Sequence, residues 1–107
     1  KDCLVPFDHS FLTQKGEEKT MWYLTKEMSA GGLNAQLYIL SDSSSYEQDG
    51  YSEQEVYFIL EGKARVSIDG ENRIVEALSS CYCPPDSRRN IQKVDGDILK
   101  FIVVRTK

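Results

Sequence analysis

One histidine, one tryptophan, three prolines and three cysteines stand among 107 residues. A single imidazole leaves no histidine cluster for a transition metal. Three cysteines are an odd number for a disulfide framework and point to free thiols in a reducing cytoplasm. No apolar run approaches the ~20 residues that span a bilayer, so no membrane partner is expected. Positive charge is not in excess: 13 basic against 17 acidic residues give a formal net charge of −4 and a pI near 5.0. Such a surface repels polyphosphate on average, which argues against a nucleic-acid partner.

What is present is an ordinary globular balance, 40% hydrophobic and 28% charged, in a length that suits one domain. The apolar pattern is mostly that of strands. Met21 to Leu24 and Leu33 to Leu40 are separated by Gly31-Gly32. Met21-Trp22-Tyr23 reads as a core or interface strand, not a stacking platform for bases. Gln54 to Glu61 is a dense aromatic and β-branched run. Ala64 to Ile68 alternates strictly before the hairpin turn Asp69-Gly70. Arg73 to Leu78 reads as a strand between that turn and Pro84-Pro85, and Ile98 to Val104 as a final strand. Ser41 to Ser45 reads as a loop, because Ser and Asp side chains compete with strand pairing. Residues 1–20 read as an extended arm with one short helical turn. Seven or eight short strands in this length predict an all-β sandwich or small barrel.

The stretch from Glu55 to Gly70 carries more than periodicity. Glu55, six residues and Gly62, inside a strand, Leu-Glu-Gly, strand, Asp-Gly cadence, resembles the first sequence motif of the cupin superfamily. Pro84 falls where the second motif places a proline, and Leu78 falls where that motif begins with glycine. The resemblance spans roughly residues 33–104. It implies an all-β fold, a single cupin-type β-sandwich barrel of jelly-roll kind. Residues 1–107 then form one domain, with 1–24 as an arm at a dimer interface and 33–104 as the barrel.

The departures from the motifs bear on chemistry. Metal-binding cupins use two motif-one histidines, the glutamate and a motif-two histidine. Here the histidine positions fall on Asp49 and Tyr51, or on Gln48 and Gly50, and the motif-two position falls on Arg89. The one histidine, His9, lies outside both motifs. Guanidinium cannot ligate a cation, so no metal and no cofactor is expected, though Asp49, Glu53 and Glu55 remain a set for a weak hard cation.

Alternation puts Glu55, Tyr57 and Ile59 on one face of their strand and Val56, Phe58 and Leu60 on the other. Cys81 and Cys83 share a face and read as buried thiols. Glu55, Tyr57 and Tyr82 are the candidate proton-handling residues. Arg89, Arg88, Tyr51, Tyr38 and Gln48 are the candidate ligand contacts, with Arg89 as the anchor for an anion. A plain ion pair between Glu55 and Arg89 would account for the same two residues without any ligand. Asp8-His9-Ser10 has triad residue types but adjacent residues cannot form that geometry. The leading expectation is a protein that binds a polar, anionic small molecule, a sugar or organic acid. A metal-independent isomerase, epimerase or dehydratase would be its enzymatic form. The alternative is a non-enzymatic dimerisation or assembly module, as some metal-free cupin domains are. A homodimer through Val56, Phe58 and Leu60 is expected in either case. A convergent polar pocket would favour the first reading, and a filled interior with an apolar outer face the second.

Overall fold

Ten strands follow one another in the computed structural model, which describes residues 3–41, 45–48, 52–94, 96 and 98–106, with Tyr46 as the one described side chain in 45–48. They are β1 Thr13–Lys15, β2 Glu18–Leu24, β3 Asn34–Leu40, β4 Ser45–Gln48, β5 Gln54–Glu61, β6 Lys63–Ile68, β7 Glu71–Glu76, β8 Ser80–Cys83, β9 Arg89–Lys93 and β10 Leu99–Thr106. Short 3-10 turns at His9–Phe11, Lys26–Met28 and Ala30–Gly32 complete the described secondary structure. No helix among the described residues is long and apolar enough to cross a membrane.

The strands form two antiparallel sheets. One has the order β1-β2-β3-β10-β5-β8 and the other β4-β9-β6-β7. The predicted β-sandwich is therefore the fold, although the two sheets are not closed into one barrel. Alternation decides the core. On β10, Leu99, Phe101, Val103 and Arg105 are buried while the residues between them are half-buried. The inward set joins Tyr38, Leu40, Tyr57, Ile59, Ala64, Val66, Cys83 and Ile91 in one apolar cluster between the sheets. Each large side chain buried there contributes about 1.5–3 kcal/mol.

Several elements differ from the sequence reading. Residues 13–24 are not an arm: β1 pairs with β2 and β2 with β3 of the same chain. Lys15 and Glu18 stand opposite each other in register across the Gly16 turn, a cross-strand placement of opposite charges that periodicity does not score. The loop read at Ser41 to Ser45 gives way to β4 at its last residue. Arg89 to Lys93 is a strand in the centre of the second sheet. The strand read to Leu78 stops at Glu76, because Leu78 takes a positive φ of 74°. At Gly62 the β5–β6 corner runs close against the backbone of Ile98 and Leu99. A Cβ built there would lie 2.3 Å from the Ile98 carbonyl oxygen, which explains why only glycine fits at this motif position.

Candidate functional site

Glu55 points inward on β5, as the alternation requires, and is fully buried. Its cross-strand partner on β10 is Arg105, so the two side chains share the inner face. Arg105 Nε donates to Glu55 Oε2. From the facing sheet, Arg89 Nη1 lies 3.0 Å from Glu55 Oε1. One carboxylate thus joins two guanidinium groups and ties the sheets together.

Arg89 is built into the protein on every side. Nε donates to the Ser87 carbonyl at 3.3 Å, and Nη1 also donates to the Glu53 carbonyl at 2.9 Å. Nη2 donates to the Pro84 carbonyl at 2.6 Å and to Ser87 Oγ at 2.8 Å. All five N–H donors of the group have protein acceptors. A ligand held by Arg89 would have to displace one of them.

Arg105 has a different shell. Nη1 donates to Asn34 Oδ1 at 3.1 Å and reaches Gln36 Oε1 at 3.5 Å. Nη2 donates to the Tyr46 hydroxyl and reaches the Tyr38 hydroxyl at 3.4 Å. Burial acts against the Arg105 charge, yet Tyr46, Glu55 and Tyr38 more than offset it and hold the group protonated beyond its ordinary range. Burial likewise pushes the Tyr46 and Tyr57 hydroxyls well above the usual tyrosine range, with Glu55 adding to the effect at Tyr57.

The tyrosines converge, but as packing. Tyr38 stacks on Phe101 at 5.2 Å between ring centroids, Tyr46 lies 4.6 Å from Tyr38, and Tyr57 meets Phe101 edge-on at 5.9 Å. Their rings pack against one another on the inner face beside Glu55. The Tyr57 hydroxyl is buried with no hydrogen-bond partner among the described residues. Tyr82 lies on the opposite face of the sheet from Glu55 and Tyr57. It pairs with Val56, is 54% exposed, and donates to Gln54 Oε1 at 2.8 Å. The register therefore separates it from the other two proposed proton-handling residues. Arg88 is exposed, and its backbone bonds both ways with Asp69. Gln48 pairs with Arg89 through the backbone; its side chain, and Tyr51 and Asp49 altogether, lie outside the described residues. Cys83 is buried and Cys81 half-buried, both as free thiols.

An open space exists elsewhere, at the mouth of the sandwich. A pocket of about 350 Å3 is lined by Trp22, Thr25, Lys26, Glu27, Asn34 and Arg105. Trp22 pairs with Gln36, so its ring lies on the inner face at the end of β2. The irregularity after it, between Trp22 and Leu24, turns the chain into the Lys26–Met28 turn that makes the wall. The Arg105 guanidinium carbon sits 6.0 Å from the Trp22 ring centroid, a cation–π spacing. Lys26 Nζ is 3.0 Å from Glu53 Oε2. Arg105 and Asn34 were not among the residues singled out from the sequence, and Trp22 was read only as part of a core or interface strand. Extending the alternation of Leu99, Phe101 and Val103 by one step would have put Arg105 on the inner face.

These residues do not fit the metal that cupins bind. Glu55, the one motif ligand retained, has a guanidinium at each carboxylate oxygen, and two fixed positive charges repel a third.

No protein-family model matches the sequence, and no curated protein does. Solved structures do resemble the fold. A Cupin 2 conserved barrel domain protein from Salinispora arenicola has a TM-score of 0.81 at 18% identity, over 100% of this chain and 90% of that one. A predicted oxalate decarboxylase from Thermotoga maritima has a TM-score of 0.78 at 23% identity, over 86% of this chain and 82% of its own. The Cnp3 cupin domain of Schizosaccharomyces pombe has a TM-score of 0.77 at 13% identity, over 90% of this chain and 67% of that one. At such identities the common property is the path of the chain through two facing sheets, and by that path this protein has the cupin fold.

Proposed function

We propose that this chain binds a small polar organic molecule in the mouth pocket, with Arg105 in the anchoring role that the motif spacing suggested for Arg89. The observation that carries the reading is the Trp22 ring, half exposed, standing over a buried guanidinium at the edge of an open space. A pocket with one aromatic surface, one amide, a buried arginine and the exposed charges of Lys26 and Glu27 has the make-up of a polar small-molecule site, and its volume lies at the small end of that class. The fold is compatible with this use, since the similar Thermotoga maritima protein is a predicted oxalate decarboxylase.

Binding is favoured over turnover. Neither Glu55 nor Tyr57 lines this pocket. Both Glu55 oxygens are engaged by arginine, and burial makes the Tyr57 hydroxyl a poor proton donor. Trp22 is the chain's one tryptophan, so its fluorescence reports on the pocket directly. A screen of organic acids, sugar phosphates and neutral sugars should produce a saturable change in that signal with a matching rise in melting temperature. A screen in which no compound does both defeats the proposal.

A second reading, a dimerisation module, has its own observation. The outer face of the larger sheet carries Val56, Phe58, Leu60, Ile102, Val104 and Tyr82, of which Phe58, Leu60 and Tyr82 are 44%, 43% and 54% exposed. Phe58 faces Ile102, and Val56 lies between Val104 and Tyr82. A second copy packed on this face would cover it. The two readings use opposite faces of one sheet and are compatible.

A further inference from the structure

Within the mouth pocket we infer that the ligand is a flat monocarboxylate, its ring on Trp22 and its carboxylate on Arg105 and Asn34. This rests on the pocket being a ligand site and adds the shape and charge of what enters it.

The shape follows from Trp22. Thr20, Gln36 and Tyr38, its inner-face neighbours by register, are buried or half-buried, whereas Trp22 is 49% exposed. The exposed part of the indole lines the pocket, and such a flat apolar surface suits a flat, unsaturated group better than a puckered one.

The carboxylate follows from the donors. Two of the Arg105 bonds, to Gln36 at 3.5 Å and Tyr38 at 3.4 Å, are longer than the 2.7–3.2 Å of well-formed N–H···O bonds. They involve different terminal nitrogens of a rigid fork, so a carboxylate that displaced the Gln36 and Tyr38 oxygens, which also bond to each other at 3.0 Å, would give up the two longest bonds and accept one N–H from each nitrogen side by side. Asn34 gives its carbonyl oxygen to Arg105. Its amide nitrogen is a donor on the other arm of the same planar group, and Asn34 lines the pocket.

The single charge follows from the neighbours. The carboxylate bonded to Arg105 is Glu55, which Arg89 also contacts, while Asn34, Gln36, Tyr38 and Tyr46 are neutral acceptors. Lys26 is paired with Glu53, and Glu27 stands in the pocket wall. One negative charge therefore complements Arg105, and a second would meet Glu27.

Four probes separate these features: benzoate, benzamide, cyclohexanecarboxylate and phthalate, titrated by Trp22 fluorescence and by calorimetry. Benzoate should saturate the signal. Benzamide should bind about 10–100-fold more weakly, for want of the charge. Cyclohexanecarboxylate should bind about 2–10-fold more weakly, for want of the flat face. Phthalate should also be weaker than benzoate. In Trp22→Leu, read by calorimetry, benzoate should lose its advantage over cyclohexanecarboxylate and keep its advantage over benzamide. Benzamide or cyclohexanecarboxylate binding as tightly as benzoate overturns the inference while leaving the pocket a ligand site. So does saturation by a neutral sugar but by none of the four. Phthalate matching benzoate removes the single-charge part. If neither these probes nor the wider screen touches Trp22, the site itself is wrong.

Discussion

Glu55 and Arg105 stand opposite each other on neighbouring strands, and the arginine Nε donates to the carboxylate inside the sandwich. Arg89 completes the group from the other sheet. The ion pair read from the sequence as an alternative to a ligand anchor is thus present, with a third member.

Removing the shared carboxylate should be severe. Glu55→Gln leaves two guanidinium groups buried without the charge between them, and breaking a buried pair costs about 3–5 kcal/mol. Urea unfolding should show a loss of that size. Glu27→Gln in the pocket wall should change stability by less than about 0.5 kcal/mol. Equal effects from the two variants would mean that the buried group is not what holds the sheets.

Leu78 is expected to be a site of easy gain. It is 91% exposed and holds a φ of 74°, a conformation that costs a residue with a Cβ about 1–2 kcal/mol. Glycine removes that strain but loses about 0.5–1 kcal/mol through the unfolded chain. Leu78→Gly should therefore raise stability by about 0.5–1 kcal/mol, seen as a higher melting temperature. An unchanged or lower value would refute the assigned backbone geometry.

Gly62→Ala should do the reverse. The added methyl meets a backbone oxygen at 2.3 Å, and a backbone atom cannot step aside as a side chain can. A loss above about 2 kcal/mol is expected from strain at such a position. A near-neutral variant in denaturant titration would show that the β5–β6 corner and Ile98 are not in contact.

The outer-face dimer has a direct check. Multi-angle light scattering at micromolar concentration should give twice the chain mass of 12.2 kDa. Phe58→Asp, on the exposed face, should move the protein toward monomer without altering its circular dichroism. A wild-type mass near that of one chain ends this reading.

Alkaline pH should weaken the fold. Burial pushes the Cys83 thiol from an ordinary value of 9.0 up to about 11. Between those values the unfolded chain has released the proton and the folded one has kept it, so stability falls as pH rises. The Tyr46 and Tyr57 hydroxyls, raised in the same direction by burial, deepen the fall. Cys83→Ala should flatten the profile between pH 9 and 11, measured by urea titration. A wild-type profile that is flat or rising there would contradict a buried protonated thiol.

The sequence alone settled what depends on neighbours along the chain. Alternation in Gln54 to Glu61 placed Glu55, Tyr57 and Ile59 inside and Phe58 and Leu60 outside, because a strand turns successive side chains to opposite faces. The spacing from Glu55 to Gly62, read through its resemblance to a family motif, led to the fold. What depended on pairing stayed hidden. Tyr82 has the right chemistry for a site, but its strand's register against β5 turns it to the outer face. Arg105 lies fifty residues from Glu55, with no local pattern linking the two. The closing strand brings them together only when it inserts between β3 and β5. Trp22 and Arg105 meet for the same reason, across three strands of one sheet. Burial makes that placement consequential, because removing water leaves an arginine no acceptors except those the fold supplies.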